Sequence, residues 1–399
     1  MNKNVVQCLF CGSSELETLV EIEKYHYLVR PTEFENVWRH VPLKVGLCRS
    51  CGTSMQLAQP NRETLDEIYS KYYGSYPSFA SDSETEERHN EFLEFITSSG
   101  VSLSGHALEI GSFDGRFLAK LQSAGMTVHG CDPNRAAAAE AKRAFGIETT
   151  LEYFTPETFA PDSFDLVSAR LVLEHADDPD RFLAGLQRIV RDGGHVALEV
   201  PDCGSLMAEG AAFWMVEHLT YFTATSFLRA LRRRGFDGTV TSHNGILRAV
   251  GRKMAAVGPK ADDVAQDVAL ALDFRKRYRD YVGRYDAILA EARERRWPIA
   301  VYGIGNYFTN LLSSTSLDPA EIVAICDGNP KKWGVELAGL GLKVQSPESL
   351  DSSAVGVVVL ASQSFQGMLD RLAPYLDEGG RALLPFPAPA LFQRSAGAA

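Results

Sequence analysis

The sequence predicts an α/β protein: a Rossmann-like core, a small cysteine-bearing unit before it and a second Rossmann-like unit after it. Three observations carry this reading. Strand-like runs alternate with helical patterns from Ala107 to about Arg252, a fresh strand-and-turn unit opens at Ile299-Ala300-Val301-Tyr302-Gly303, and four cysteines form two close pairs near the start. The 399 residues suffice for two or three domains, each burying its own core.

Composition narrows the function classes. A net charge of −11 opposes an electrostatic grip on nucleic acid or anionic lipid, and no apolar run approaches the roughly 18 residues of a membrane span. The polar start Met1-Asn2-Lys3-Asn4 has no secretory apolar core, so the expected address is the cytoplasm. The expected partner is a small-molecule substrate, with neither nucleic acid nor membrane, and the expected assembly is a monomer or weak homo-oligomer.

The first unit, residues 1–65, carries Cys8-Leu9-Phe10-Cys11 and Cys48-Arg49-Ser50-Cys51, each followed by a glycine for the turn. In a reducing compartment such knuckles bind metal rather than form disulfides. Four thiolates fill the tetrahedral shell of Zn2+ and leave no open position, which predicts a structural ion held by Cys8, Cys11, Cys48 and Cys51. Cys131, Cys203 and Cys326 are scattered through apolar segments and read as core thiols. A connector, residues 66–98, is rich in tyrosine (Tyr69, Tyr72, Tyr73, Tyr76) and enters a helix near Arg88 to Ser98.

The core, residues 99–256, opens with Leu108-Glu109-Ile110-Gly111-Ser112-Phe113-Asp114-Gly115 between a strand and a helix beginning near Arg116. Glycines there let the backbone approach a ligand, with amides presented at the helix end. The spacing differs from G-x-G-x-x-G, and the carboxylate of Glu109 argues for a cofactor without phosphates. About twenty residues on, Cys131-Asp132-Pro133 ends the second strand, where Asp132 either accepts both hydroxyls of a ribose or caps the next helix.

In that order and distance these motifs resemble class I S-adenosylmethionine methyltransferases. Glu152-Tyr153-Phe154 resembles their adenine-side turn, and Phe164 to His175, with Arg170 and Leu173-Glu174-His175, their fourth strand and outgoing loop. The resemblance implies cofactor contacts from Glu109, Gly111, Ser112, Gly115, Asp132, Pro133, Phe154 and Arg170, with His175 as a wall of the methyl-transfer cavity. More narrowly, the domain order is similar to that of three-domain sugar C-methyltransferases of deoxysugar biosynthesis. Their EIGSNDG-like loop stands here as EIGSFDG, with Phe113 where Asn is usual. Their Asp-x-Asn-Pro stretch stands as Asp327-Gly328-Asn329-Pro330 in the last unit, residues 257–399, which follows a charged helix from about Asp262 to Arg296.

That family carries a Glu-His pair followed by Tyr-Phe, here Glu217-His218-Leu219-Thr220-Tyr221-Phe222. The resemblance implies proton abstraction beside a ketone by His218, whose imidazole titrates near working pH, with Glu217 as orienter or second proton carrier. Tyr221 or a connector tyrosine donates to the enolate oxygen, and connector tyrosines such as Tyr76 cover the sulfonium. A support role for Glu217-His218 in a cofactor lid is the alternative. Gly303-Ile304-Gly305-Asn306 either binds the nucleotide of a nucleotide-linked sugar or belongs to a domain that shapes and closes the cleft. O- or N-methylation of another glycan or natural-product intermediate, and non-catalytic binding, are the rival functions.

Overall fold

The computed structural model describes residues 3–32, 35–68, 82–209, 214–255, 264–337, 340–362 and 365–394. Tyr69, Tyr72, Tyr73 and Tyr76 lie outside the described residues, so the expectation for the connector tyrosines rests on sequence alone.

The core is a sheet with spatial order Phe236–His243, Ile246–Lys253, Val190–Pro201, Phe164–Arg170, His106–Ile110, Thr127–Cys131, Thr149–Thr150. The last five are mutually parallel, while Ile246–Lys253 runs antiparallel to both its neighbours. Asn244-Gly245, with φ of 49° and 75°, makes the tight turn of that edge hairpin. His106–Ile110 sits mid-sheet, and from it the chain winds first to one side and then to the other. This reversal opens a crevice outside its carboxyl end, where Gly111 follows. The strand is buried at four of its five positions, as a parallel strand covered on both faces should be.

The helix Arg116–Ser123 starts where the sequence placed it. The next helix, Arg135–Phe145, is capped by Asn134, whose side chain accepts the Ala136 and Ala137 amides. Asp132 is therefore not that helix's cap, which corrects one of the two readings of this residue.

The flanking units are not independent bodies. The long hairpin Leu16–Thr32 and Glu35–Cys48 is extended on one side by Ser54–Gln56 and Thr220–Tyr221. On the other side Glu336–Leu337 pairs in parallel with Glu35-Asn36 and leads into the parallel strands Leu342–Gln345, Ile322–Cys326, Ile299–Tyr302, Val357–Leu360 and Ala382–Leu384. One sheet thus runs from the cysteine-bearing unit into the C-terminal unit. The seam is two residue pairs long, too short to leave a pattern in the sequence. No helix among the described residues is long and apolar enough to cross a membrane.

The connecting helix Val264–Glu294 rises from a three-way junction. Asp267, 2 % exposed, accepts from Thr223 Oγ1 at 2.6 Å and from both Arg229 terminal nitrogens at 3.1 Å. Arg229 also donates to the Cys51 carbonyl at 2.6 Å. Cysteine unit, core and linker helix therefore share one buried ion pair. Removing the anion alone strands a buried guanidinium, so Asp267→Ala should cost about 3–5 kcal/mol, read as a lowered denaturation midpoint.

Candidate active site

The four paired cysteines converge. Cys8 and Cys51 sulfurs lie 3.5 Å apart, as do those of Cys11 and Cys48, and all four fall within 4.8 Å of one another. Thiolates about 2.3 Å from a shared tetrahedral ion would be about 3.8 Å apart, so the cluster fits zinc. The knuckles repeat each other: Gly12 and Gly52, at φ 72° and 70°, donate to the carbonyls of Cys8 and Cys48, and those cysteines' amides reach Ser13 and Thr53 carbonyls. Phe10 packs edge-on to Phe222, tying the cluster to the core. Cys131, Cys203 and Cys326 are buried and unpaired, as core thiols.

At the head of the crevice, Gly111 and Gly115 adopt φ of 72° and 76°. A side chain on Gly111 would stand 2.5 Å from a Val172 methyl, and one on Gly130 2.5 Å from Ser112 Oγ. Ser112 Oγ is itself buried without a partner, a donor left for a ligand. Asp132 accepts the Phe113 amide at 2.9 Å and the Asn134 amide at 2.8 Å, one on each oxygen, which keeps further lone pairs for hydroxyl donors. Burial raises its pKa, and burial pushes the Glu109 carboxyl up to about 8 against the opposing field of Arg170. These residues form a polar cradle around one backbone turn, and they fit a nucleoside cofactor.

Other expected contacts stand elsewhere. Arg170 pairs with Glu199 at 2.7 Å while its guanidinium lies over the rings of Phe92 and Phe117, and Glu199 pairs in turn with Arg248 at 2.9 Å. Phe154 packs edge-to-face on Phe182 over Gly185, while Pro133 is exposed at the strand end. Phe113 is 48 % exposed at φ 46° and Leu171 follows its strand at φ 55°. Such left-handed geometry costs a bulky residue such as Phe113 more than it costs glycine or Asn, whose short polar side chain can hydrogen-bond locally.

The second half of the site is the segment 214–219. His175 Nδ1 faces the Glu217 carbonyl at 3.0 Å, and the rings of His175 and His218 meet edge-to-face with centroids 4.9 Å apart. Burial lowers both imidazoles, His175 to about 4 and His218 well below its ordinary value, so both are neutral at pH 7, which corrects the expectation that His218 titrates near working pH. Tyr221 is buried and donates to the Met215 carbonyl at 3.4 Å. Beside Glu217 opens a small cleft lined by Tyr25, Tyr27, Ile68, Met215, Val216, Glu217, Asn306 and Thr309. Its walls come from the N-terminal hairpin, the core and the C-terminal helix Asn306–Ser314 together.

Three residues that sequence reasoning passed over hold this segment. Gln56 Nε2 lies 2.8–3.0 Å from the carbonyls of Met215, Val216 and His218, Asn310 exchanges hydrogen bonds with the Trp214 backbone at 2.8 and 2.9 Å, and the Glu174 carbonyl accepts the Leu219 amide at 2.7 Å. Asn306 and Asn310, four apart just after a glycine turn, were the one local signal available.

Two family models match the chain. Residues 83–241 match the methyltransferase domain family, and residues 250–387 match the C-methyltransferase C-terminal domain family. The ubiquinone biosynthesis O-methyltransferases of Pseudomonas putida and Pseudomonas entomophila are each 32 % identical over 103 residues. That stretch is 24 % of this chain and 44 % of each relative, so the match spans less than half of the relatives' own length. Among solved structures, magnesium protoporphyrin IX methyltransferase from Synechocystis is 13 % identical, with a TM-score of 0.38 over 49 % of this chain and all of that one. A putative S-adenosylmethionine-dependent methyltransferase from Listeria monocytogenes is 15 % identical, with a TM-score of 0.36 over 42 % of this chain and 98 % of that one. The core thus matches a methyltransferase domain family, and the C-terminal unit matches the C-terminal domain family of C-methyltransferases.

Proposed function

We propose that this protein transfers the methyl group of S-adenosylmethionine to a carbon beside a carbonyl, with His218 as the base. The observation that carries the reading is a buried imidazole on a segment gripped from three sides, beside a cleft that all three units line. The cofactor, when bound, supplies an electrophilic methyl. The turn Gly111–Gly115 would receive it, with Ser112 Oγ and the spare lone pairs of Asp132 as polar contacts.

The chain's own residues then have separable tasks. His218 takes the proton and Glu217 lines the cleft, while its carbonyl fixes the tautomer of His175. Tyr221, the expected donor to the enolate oxygen, would have to exchange its bond to Met215 for that role. Tyr27, Asn306 and Thr309 offer hydrogen bonds to a hydroxylated acceptor, which supports a nucleotide-linked keto-deoxysugar as substrate. O-methylation is the second reading, favoured by the names of the Pseudomonas relatives. The four cysteines hold a structural zinc ion in this reading.

His218→Ala should lower kcat by about 10²- to 10⁴-fold while the Kd for S-adenosylmethionine changes little. Retained turnover would remove His218 from the mechanism, and carbon-13 methyl transfer followed by NMR of the product distinguishes C- from O-methylation. Metal analysis of the purified protein should find about one zinc per chain, lost in Cys48→Ser together with part of the thermal stability.

A further inference from the structure

Glu174 has no task in the scheme above, yet it is 1 % exposed and neither carboxyl oxygen has a hydrogen-bond partner. A native protein rarely leaves such a group unsatisfied without a use for it. One of its oxygens, a ring nitrogen of His175 and a ring nitrogen of His218 lie within 4.8 Å of one another, with Oε1 3.9 Å from His175 Nε2. Because His175 Nδ1 donates to the Glu217 carbonyl, Nε2 presents its lone pair towards Glu174. Glu174 also lies two residues beyond Val172, whose methyl stands 2.5 Å from the position a Gly111 side chain would take.

We infer that Glu174 is the counter-charge of this site, ionising when a cationic cofactor binds and then balancing the positive charge as it passes from the sulfonium to His218. The inference rests on the proposed function, and the reaction it serves is balanced. The acceptor C–H bond breaks and its proton goes to a ring nitrogen of His218. The electron pair left on carbon forms the new bond to the methyl group, and the S–CH₃ bond breaks with its pair remaining on sulfur. One positive charge is consumed at sulfur and one appears on imidazole, so a single carboxylate serves the charge before and after transfer.

The surroundings fit that task. The charged groups whose fields reach Glu174 are Glu199 on the strand Val190–Pro201 and Glu217 on the segment 214–219, both of like sign, and His175 and His218 are the imidazoles beside it. Burial, opposed by the residue's own backbone amide and reinforced by these two carboxylates, pushes the Glu174 pKa up to about 8, so without a cation it keeps its proton at neutral pH. A positive cofactor opposes both effects and favours the carboxylate. His175, its side chain 17 % exposed, offers the way out for the proton.

Titration calorimetry of the full chain at pH 7, in buffers of low and high ionisation heat, tests this without turnover. S-adenosylmethionine should release about one proton per molecule bound, whereas the uncharged-sulfur product S-adenosylhomocysteine should release none. The free protein holds the proton below its raised pKa, so affinity for the cation should rise up to about tenfold per pH unit from pH 6 to 8 and then level off. Glu174→Gln should bind the cofactor with no proton release and no such slope. Equal proton counts for both ligands in the unaltered protein overturn the inference, even if the variant does not fold. So does release that persists in Glu174→Gln, or a metal ion beyond that of the four cysteines that Glu174→Gln removes. Cofactor binding with proton release but no methylated product sinks the proposed function alone, and absence of cofactor binding sinks both.

Discussion

The segment Trp214 to Leu219 is the constraint on which the rest of the structure depends. It has no regular secondary structure, so its backbone groups must find partners outside itself. They find them in every unit of the chain. Gln56 reaches it from the strand beside the N-terminal hairpin and the Tyr25 hydroxyl from the hairpin itself, Glu174 and His175 from the core, and Asn310 from the C-terminal helix. An irregular segment held this way keeps a defined geometry without helix or strand, and its side chains Glu217 and His218 inherit that geometry.

The same grip ties the cysteine cluster to the cleft. Cys51 is three residues before Ser54–Gln56, the strand that supplies Gln56 and pairs with Thr220–Tyr221. Fixing the knuckles fixes the start of that strand, and the strand fixes the carbonyls of Met215, Val216 and His218. A second brace lies beneath the cofactor turn, where Glu199 joins Arg170 and Arg248, and Arg248 also reaches Glu91 of the helix Asp82–Ser98 at 2.8 Å. Buried ion pairs of this kind add little net stability, but each charge must keep its partner, so they hold the strands at one relative position.

What could be read in the sequence was local. Glu109 to Gly115, the second-strand Asp132, the long helix after residue 262 and the cysteine knuckles are short motifs whose chemistry follows from neighbouring residues. The sites missed are long-range. Gln56 acts 160 positions away on Val216, and Asn310 acts 96 positions away on Trp214. Glu174 stood beside a histidine that drew the attention, and its meaning depends on His218 and on the want of any partner, which no spacing reveals. Arg170 illustrates the converse: a polar residue at the right strand end is taken up by Glu199, 29 positions on.

The two Rossmann-like units use the same device for opposite ends. In the core, Asp132 takes the Phe113 amide on one oxygen and the Asn134 amide on the other; in the C-terminal unit, Asp327 takes Ile304 and Asn329 in the same way, at 2.9 Å each. The difference is Lys332, whose ammonium sits 2.9 Å from Asp327 Oδ2 and 2.8 Å from the Ile304 carbonyl. Asp132 has no such cation among the described residues. A carboxylate already neutralised within its own loop gains little from ribose hydroxyls, whereas one held only by amides still has lone pairs to give. That contrast favours the second of the two readings of Gly303-Ile304-Gly305-Asn306. The loop is braced from within, and what it delivers to the cleft is the start of the helix that carries Asn306, Thr309 and Asn310.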